Sequence, residues 1–115
     1  MKIIIAGSRV IPNREFVWDD LLKRMPYHLV TEIVSGMVRG ADLIGYEFAK
    51  HCGIPTACFP ADWDKHGKSA GYVRNKEMAD YADELIAYWD GKSNGTKNMI
   101  DLMALAKKPT TIIYV

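Results

Sequence analysis

Short branched apolar runs alternate with helix-period stripes along the whole chain, and no other feature restricts the fold as tightly. Lys2 to Ala6, Thr31 to Val34, Ile54 to Phe59, Glu84 to Trp89 and Thr110 to Val115 read as strands. A helix starts at Pro12-Asn13 with Asn13 as N-cap, carries Trp18, Leu21, Leu22 and Met25 on one stripe, and is closed by Pro26. Ala41, Ile44, Gly45, Phe48, Ala49 and Cys52 form the next stripe, with Gly53 as its stop. Ala70 to Ala82 is a helix with Asn75, Met78, Ala79 and Ala82 inward. Thr96 to Lys107 is another, with Met99, Leu102, Met103 and Ala106 inward. Strands that alternate strictly with helices form a parallel sheet with helices on both faces. The expected fold is α/β: a single-domain, three-layer sandwich over residues 1–115, its five parallel strands ordered 3-2-1-4-5.

In such a sheet, ligands bind past the carboxyl ends of the strands, where the winding reverses. Three glycine turns fall at those ends: Gly7-Ser8-Arg9, Ser35 to Asp42, and Gly91 to Thr96. The second is the most developed, since Ile33-Val34 stops at Ser35-Gly36 and a helix begins just past Gly40. A strand, a tight turn and a helix start in succession present unpaired backbone N–H groups and a positive dipole end, which attract phosphate. The connection from Pro60 to Ser69 is longer than most strand–helix loops and reads as a polar binding loop carrying Trp63, His66 and Gly67.

Composition narrows the partners. The chain is 49% apolar and 25% charged with a formal net charge of +1, so nothing favours nucleic acid or an anionic membrane through bulk charge. An anion site has to be built locally. No apolar run approaches the roughly 20 residues of a membrane span, and Lys2-Ile3-Ile4-Ile5 runs straight into a glycine turn rather than forming a signal peptide; the expected address is the cytoplasm. Cys52 and Cys58 are expected to be buried, reduced thiols, and no cysteine or histidine pair has zinc-ligand spacing. No metal or cofactor is expected.

Arg9 and Arg39 lie in the turns and Arg74 in the first turn of the third helix, whereas Arg14 and Arg24 fall on solvated helix positions. A guanidinium offers a planar fork to phosphate, and each charge-assisted bond contributes about 1.5–3 kcal/mol. Ser93 and Thr96 flank Gly95 and read as helix caps whose hydroxyls also suit a ligand. Asp42 and Asp90 serve a helix dipole and a turn, or accept from ribose hydroxyls in a nucleotide site. Trp63 either stacks on a base or closes its loop onto the sheet. There is no G-x-G-x-x-G after the first strand and no ribose-binding acid ending the second. Gly36 to Ala41 has neither the length nor the Lys-Ser/Thr pair of a P-loop.

Taken in order, Gly7-Ser8-Arg9, Ser35-Gly36 with Arg39-Gly40-Ala41-Asp42, Pro60-Ala61-Asp62-Trp63, Ala70-Gly71 with Arg74-Asn75, and Ser93 with Gly95-Thr96 resemble the SLOG superfamily. That group contains DprA and the LOG enzymes, and the chain is most similar to its small stand-alone YspA-like branch. The resemblance implies a Rossmann-like sheet, a nucleotide or nucleotide-derived ligand, a sensing role and a homo-oligomer. The glycine turns, their charged residues and this resemblance together give the expected ligand-binding set: Gly7, Ser8, Arg9, Ser35, Gly36, Arg39, Gly40, Asp42, Trp63, Arg74, Asn75, Asp90, Ser93, Gly95 and Thr96. LOG enzymes cleave a nucleotide N-glycosidic bond with an arginine and the glutamate of P-G-G-x-G-T-x-x-E. Arg74 resembles that arginine, but Met99 stands at the glutamate position. A nucleotide hydrolase is therefore the alternative function, with Arg74, Asp90 and Asp62 as candidate catalytic groups and Glu77 as a further substitute carboxylate. An assembly module with vestigial sites is the third. Single-strand DNA binding of the DprA kind is the least favoured.

Overall fold

A computed structural model describes all of residues 1–115. Five parallel strands, β1 (Lys2–Gly7), β2 (Glu32–Ser35), β3 (Thr56–Cys58), β4 (Glu84–Trp89) and β5 (Thr110–Tyr114), lie in the order β3-β2-β1-β4-β5. The helices are α1 (Arg14–Arg24), α2 (Ala41–Cys52), α3 (Trp63–His66), α4 (Ala70–Tyr81) and α5 (Asn94–Leu105). The expected doubly wound α/β sandwich is the observed one.

The period-two alternation of β1 divides the core in two. Ile3 and Ile5 pack with Val17, Leu21, Phe48 and Tyr88 under α1 and α2. Ile4 and Ala6 pack with Met78, Met99 and Met103 under α4 and α5. Each face thereby buries a full hydrophobic layer, the condition under which a parallel sheet is stable. Tyr88 is fully buried, yet its hydroxyl donates to Asp20 Oδ2 at 2.7 Å, and Arg24 holds the same carboxylate. Burial and that bond raise the phenol's pKa, keeping it a donor.

Local chemistry explains where the elements begin and end. Asn13 caps α1 by accepting from the Phe16 N–H at 3.1 Å, as its sequence position predicts. Gly53 ends α2 in the left-handed region at φ 70°. Leu22, placed on the α1 stripe by spacing, faces solvent, and so does Ala106 beyond α5. β3 is shorter than its apolar run because Pro55 has no N–H and Ile54 donates back to Ala49 O. As an edge strand it leaves Cys58 exposed, and Cys52 is half-buried, so neither is the buried thiol expected from composition. The Pro60–Ser69 connection is not an open loop either: Asp62 accepts from the Lys65 N–H at 3.0 Å and caps α3, and a 3-10 turn at Gly67–Ser69 leads into α4. No helix is long and apolar enough to cross a membrane.

Candidate functional site

The carboxyl ends of β1, β2 and β4 converge on one open cleft of about 430 Å³. Its walls include Gly7, Arg9, Asp42, Arg74, Asn75, Ser93, Gly95 and Thr96 from the expected set, over a floor of Ala6, Val38, Met78 and Met99. The apolar floor was not legible as part of a site, because its residues belong equally to the core stripes. A hollow alongside shares Arg9, Arg74, Asn75 and Gly95 with the cleft and adds Trp63, Lys68, Gly71 and Tyr72. Lys68 and Tyr72 escaped the sequence reading, although they lie four residues apart, a spacing that places two helical side chains on one face.

β1 passes so close to β4 that a Cβ on Gly7 would collide with Tyr88 O, which is why the turn after β1 starts on glycine. Ser8 then serves the architecture: its N–H donates to Tyr88 O at 2.9 Å, and its Oγ accepts from the Asp90 N–H at 2.9 Å. Arg9, next along, is exposed and reaches the cleft and the hollows on either side of it.

At the second junction most of the polar groups that attract an anion on paper are already engaged. Ser35 Oγ donates to Asp42 O at 3.0 Å and accepts from the Met37 N–H at 3.1 Å. The Ala41 N–H donates to Ser8 O and the Leu43 N–H to Val38 O. The helix end also has its own carboxylate, Asp42, in its first turn. Arg39 and Gly40 line a separate hollow with Arg9 and Arg14 rather than the main cleft.

Arg74 covers Gly36. Its Nη1 donates to Gly36 O at 2.7 Å and to Phe59 O at 3.3 Å, and its Nε donates to Asn75 Oδ1 at 3.0 Å. Asn75 is itself buried and donates to Gly95 O at 3.1 Å and Asn98 Oδ1 at 3.0 Å, tying α4 to the start of α5. Burial lowers the pKa of Arg74 and the Asp42 charge opposes the shift. Burial raises Asp42 to about 6, against the Arg74 guanidinium, the backbone N–H groups of Val38 and Gly7, and Arg9.

The third junction keeps its donors free. α5 starts two residues earlier than its stripe suggests, with Ser93 at the N-cap, but the Ser93 side chain does not cap it. Its Oγ pairs with Thr96 Oγ1 at 3.2 Å, and the N–H groups of Asn94, Gly95 and Thr96 have no protein acceptor. Asp90 holds the approach to this helix by accepting from the Lys92 and Ser93 N–H groups, each at 2.8 Å. Those bonds lower its pKa, and it lies outside the cleft lining. Asp62, the α3 cap, lines a different hollow on the far side of Arg74.

The site so described can be set beside known proteins. A model of the YspA, cpYpsA-related SLOG family matches residues 1–66. Gene 61 protein of Mycobacterium phage D29 is 41% identical over 106 residues, covering 84% of this chain and 83% of that protein. No solved structure matches. Residues 1–66 hold β1 through α3, hence the first two glycine junctions and the Asp42 wall of the cleft, and the relative's likeness extends over most of the remainder. The chain belongs to the YspA, cpYpsA-related SLOG family.

Proposed function

We propose that the protein binds a nucleotide or nucleotide-derived ligand in this cleft, as a ligand-sensing domain. The observation that carries the reading is the open start of α5: Gly95 and Thr96, whose N–H groups have no protein acceptor, line the same cleft as Arg9 and the anchored Arg74. A helix N-terminus and two guanidinium groups are complementary to a phosphate. Two or three charge-assisted bonds there correspond to roughly micromolar affinity, about 8 kcal/mol. Trp63 and Tyr72, both half-exposed in the adjoining hollow, supply faces on which a base can stack. Family membership supports a nucleotide-related ligand without naming one. Calorimetry with nucleoside mono- and diphosphates, on protein unfolded and refolded to strip bound molecules, tests the reading. Heat of binding that is lost in Arg74→Ala supports it, and no heat with any nucleotide rejects it.

One observation favours a hydrolase of a nucleotide N-glycosidic or phosphate bond as the second reading. Asp42 is a cleft carboxylate with a pKa of about 6 near an arginine, an acid–base group available close to neutral pH. Met99 is buried in the floor and carries no chemistry, while Asp62 and Asp90 are engaged as cap and turn. Release of free base or phosphate from a nucleotide library, abolished in Asp42→Asn, distinguishes this reading from binding alone.

A further inference from the structure

A phosphate site has no use for a buried carboxylate, yet the cleft contains one. Asp42 is 5% exposed and is the only acidic residue of the cleft lining. No ion pair joins it to Arg74 and its side chain makes no hydrogen bond to another side chain. Its position is not slack, because Ser35 Oγ grips its backbone carbonyl at 3.0 Å from inside the core. The backbone N–H groups of Val38 and Gly7 face the carboxylate, but no side-chain donor does, and two carboxylate oxygens have capacity for a further donor from the cleft.

The surroundings restrict what can complete it. A second anion is excluded by like charge. A metal ion or ammonium is disfavoured by Arg9 and Arg74, whose positive charges act on the same carboxylate. What remains is a neutral donor, a hydroxyl or an N–H. The donor has to sit close to a phosphate, because the start of α5 and Arg74 line the same cleft as Asp42. The adjoining open hollow with Trp63 and Tyr72 offers aromatic faces that suit the nucleobase. In a nucleotide, the part that carries neutral hydroxyls between base and phosphate is the sugar.

We propose that Asp42 accepts a hydrogen bond from the ribose diol of the ligand, making the cleft selective for ribonucleotides over their deoxy counterparts. This inference rests on the nucleotide-binding reading and narrows it to one sugar. A ligand lacking the hydroxyl covers the carboxylate without replacing the donor that water supplies, so discrimination is on the order of 10- to 100-fold. Asp90, which the sequence offered for the same role, spends Oδ1 on its own turn and lies outside the cleft lining.

The test is calorimetric titration of wild type, Asp42→Asn and Asp42→Ala with the four ribonucleoside monophosphates and diphosphates and their 2′-deoxy and 3′-deoxy forms. The expected result is that wild type binds a ribonucleotide at least tenfold more tightly than one of its deoxy forms. In Asp42→Ala that ratio falls below about threefold, because the deoxy ligand no longer strands a charge. Wild type that binds all three sugars within threefold overturns the inference and leaves nucleotide binding standing. So does an Asp42→Ala protein that keeps the wild-type ratio. Absence of binding by wild type to every nucleotide overturns both. Should Asp42→Ala fail to fold, the wild-type comparison of sugars decides alone.

Discussion

Asp42 and Arg74 face each other across a glycine: Arg74 Nη1 and Asp42 Oδ2 each lie 2.7 Å from the point a Cβ would occupy on Gly36, yet they form no ion pair. The guanidinium spends Nη1 on the Gly36 and Phe59 carbonyls, so the carboxylate is left to the cleft. Two charges held in proximity without direct pairing are an arrangement a ligand can exploit, and it depends on there being no side chain at residue 36.

Gly36→Ala is therefore expected to damage binding as well as folding. The added methyl pushes Arg74 and Asp42 apart, an overpacking that costs about 1–3 kcal/mol in stability. It also moves the group that holds the phosphate. Urea denaturation should show that loss, and nucleotide calorimetry a reduction of tenfold or more.

Asp42→Asn is expected to stabilise the protein at neutral and alkaline pH. The folded-state pKa of about 6 lies above the ordinary 3.8, so between these values the folded chain binds more protons than the unfolded one. Stability then falls as pH rises through that window, and at pH 8 the buried charge costs up to about 3 kcal/mol. The groups facing it are Arg74 from α4, Arg9 from the turn after β1, and the Val38 and Gly7 N–H groups. The variant should unfold at a higher temperature than wild type at pH 8, and the advantage should vanish by about pH 4. Equal melting temperatures at pH 8 would contradict the assignment.

Asn75→Ala removes one acceptor and two donors at the junction of α4 and α5. Leaving buried partners unsatisfied costs about 1–3 kcal/mol. Because the same amide steadies Arg74, nucleotide affinity should drop as well. Denaturant midpoints and calorimetry on one preparation check both effects.

Lys107→Gly should stabilise the chain by up to about 1 kcal/mol. Lys107 follows α5 with φ 56°, a left-handed conformation that a side chain adopts at a cost and glycine adopts freely. Its N–H donates to Ala104 O in either case. The residue is exposed and far from the cleft, so the urea midpoint should rise with ligand affinity unchanged.

The glycine junctions were legible because turn chemistry is local: Gly7, Gly40 and Gly95 mark strand-to-helix turns whatever surrounds them. The parts of the site that were misread concern competition for hydrogen bonds. Ser35 and the start of α2 look like an anion trap until Ser8, Val38 and Asp42 are seen to satisfy or neutralise them. Ser93 looks like an ordinary cap, and its hydroxyl turns instead to Thr96. Asp62, a candidate acid in the sequence, caps a helix by accepting from the Lys65 N–H, and Asp90 holds the turn that its position after a strand suggests.

Periodicity in the sequence determined the elements, the parallel α/β class and the rim where a site had to form, since the alternation of apolar residues is a property of each segment alone. Only the tertiary structure decided which of the donors on that rim stay unsatisfied, and that Asp42 is the acid enclosed with them. Burial and partner choice depend on segments remote in the chain, and they set both the charge state and the hydrogen-bonding capacity that chemistry uses.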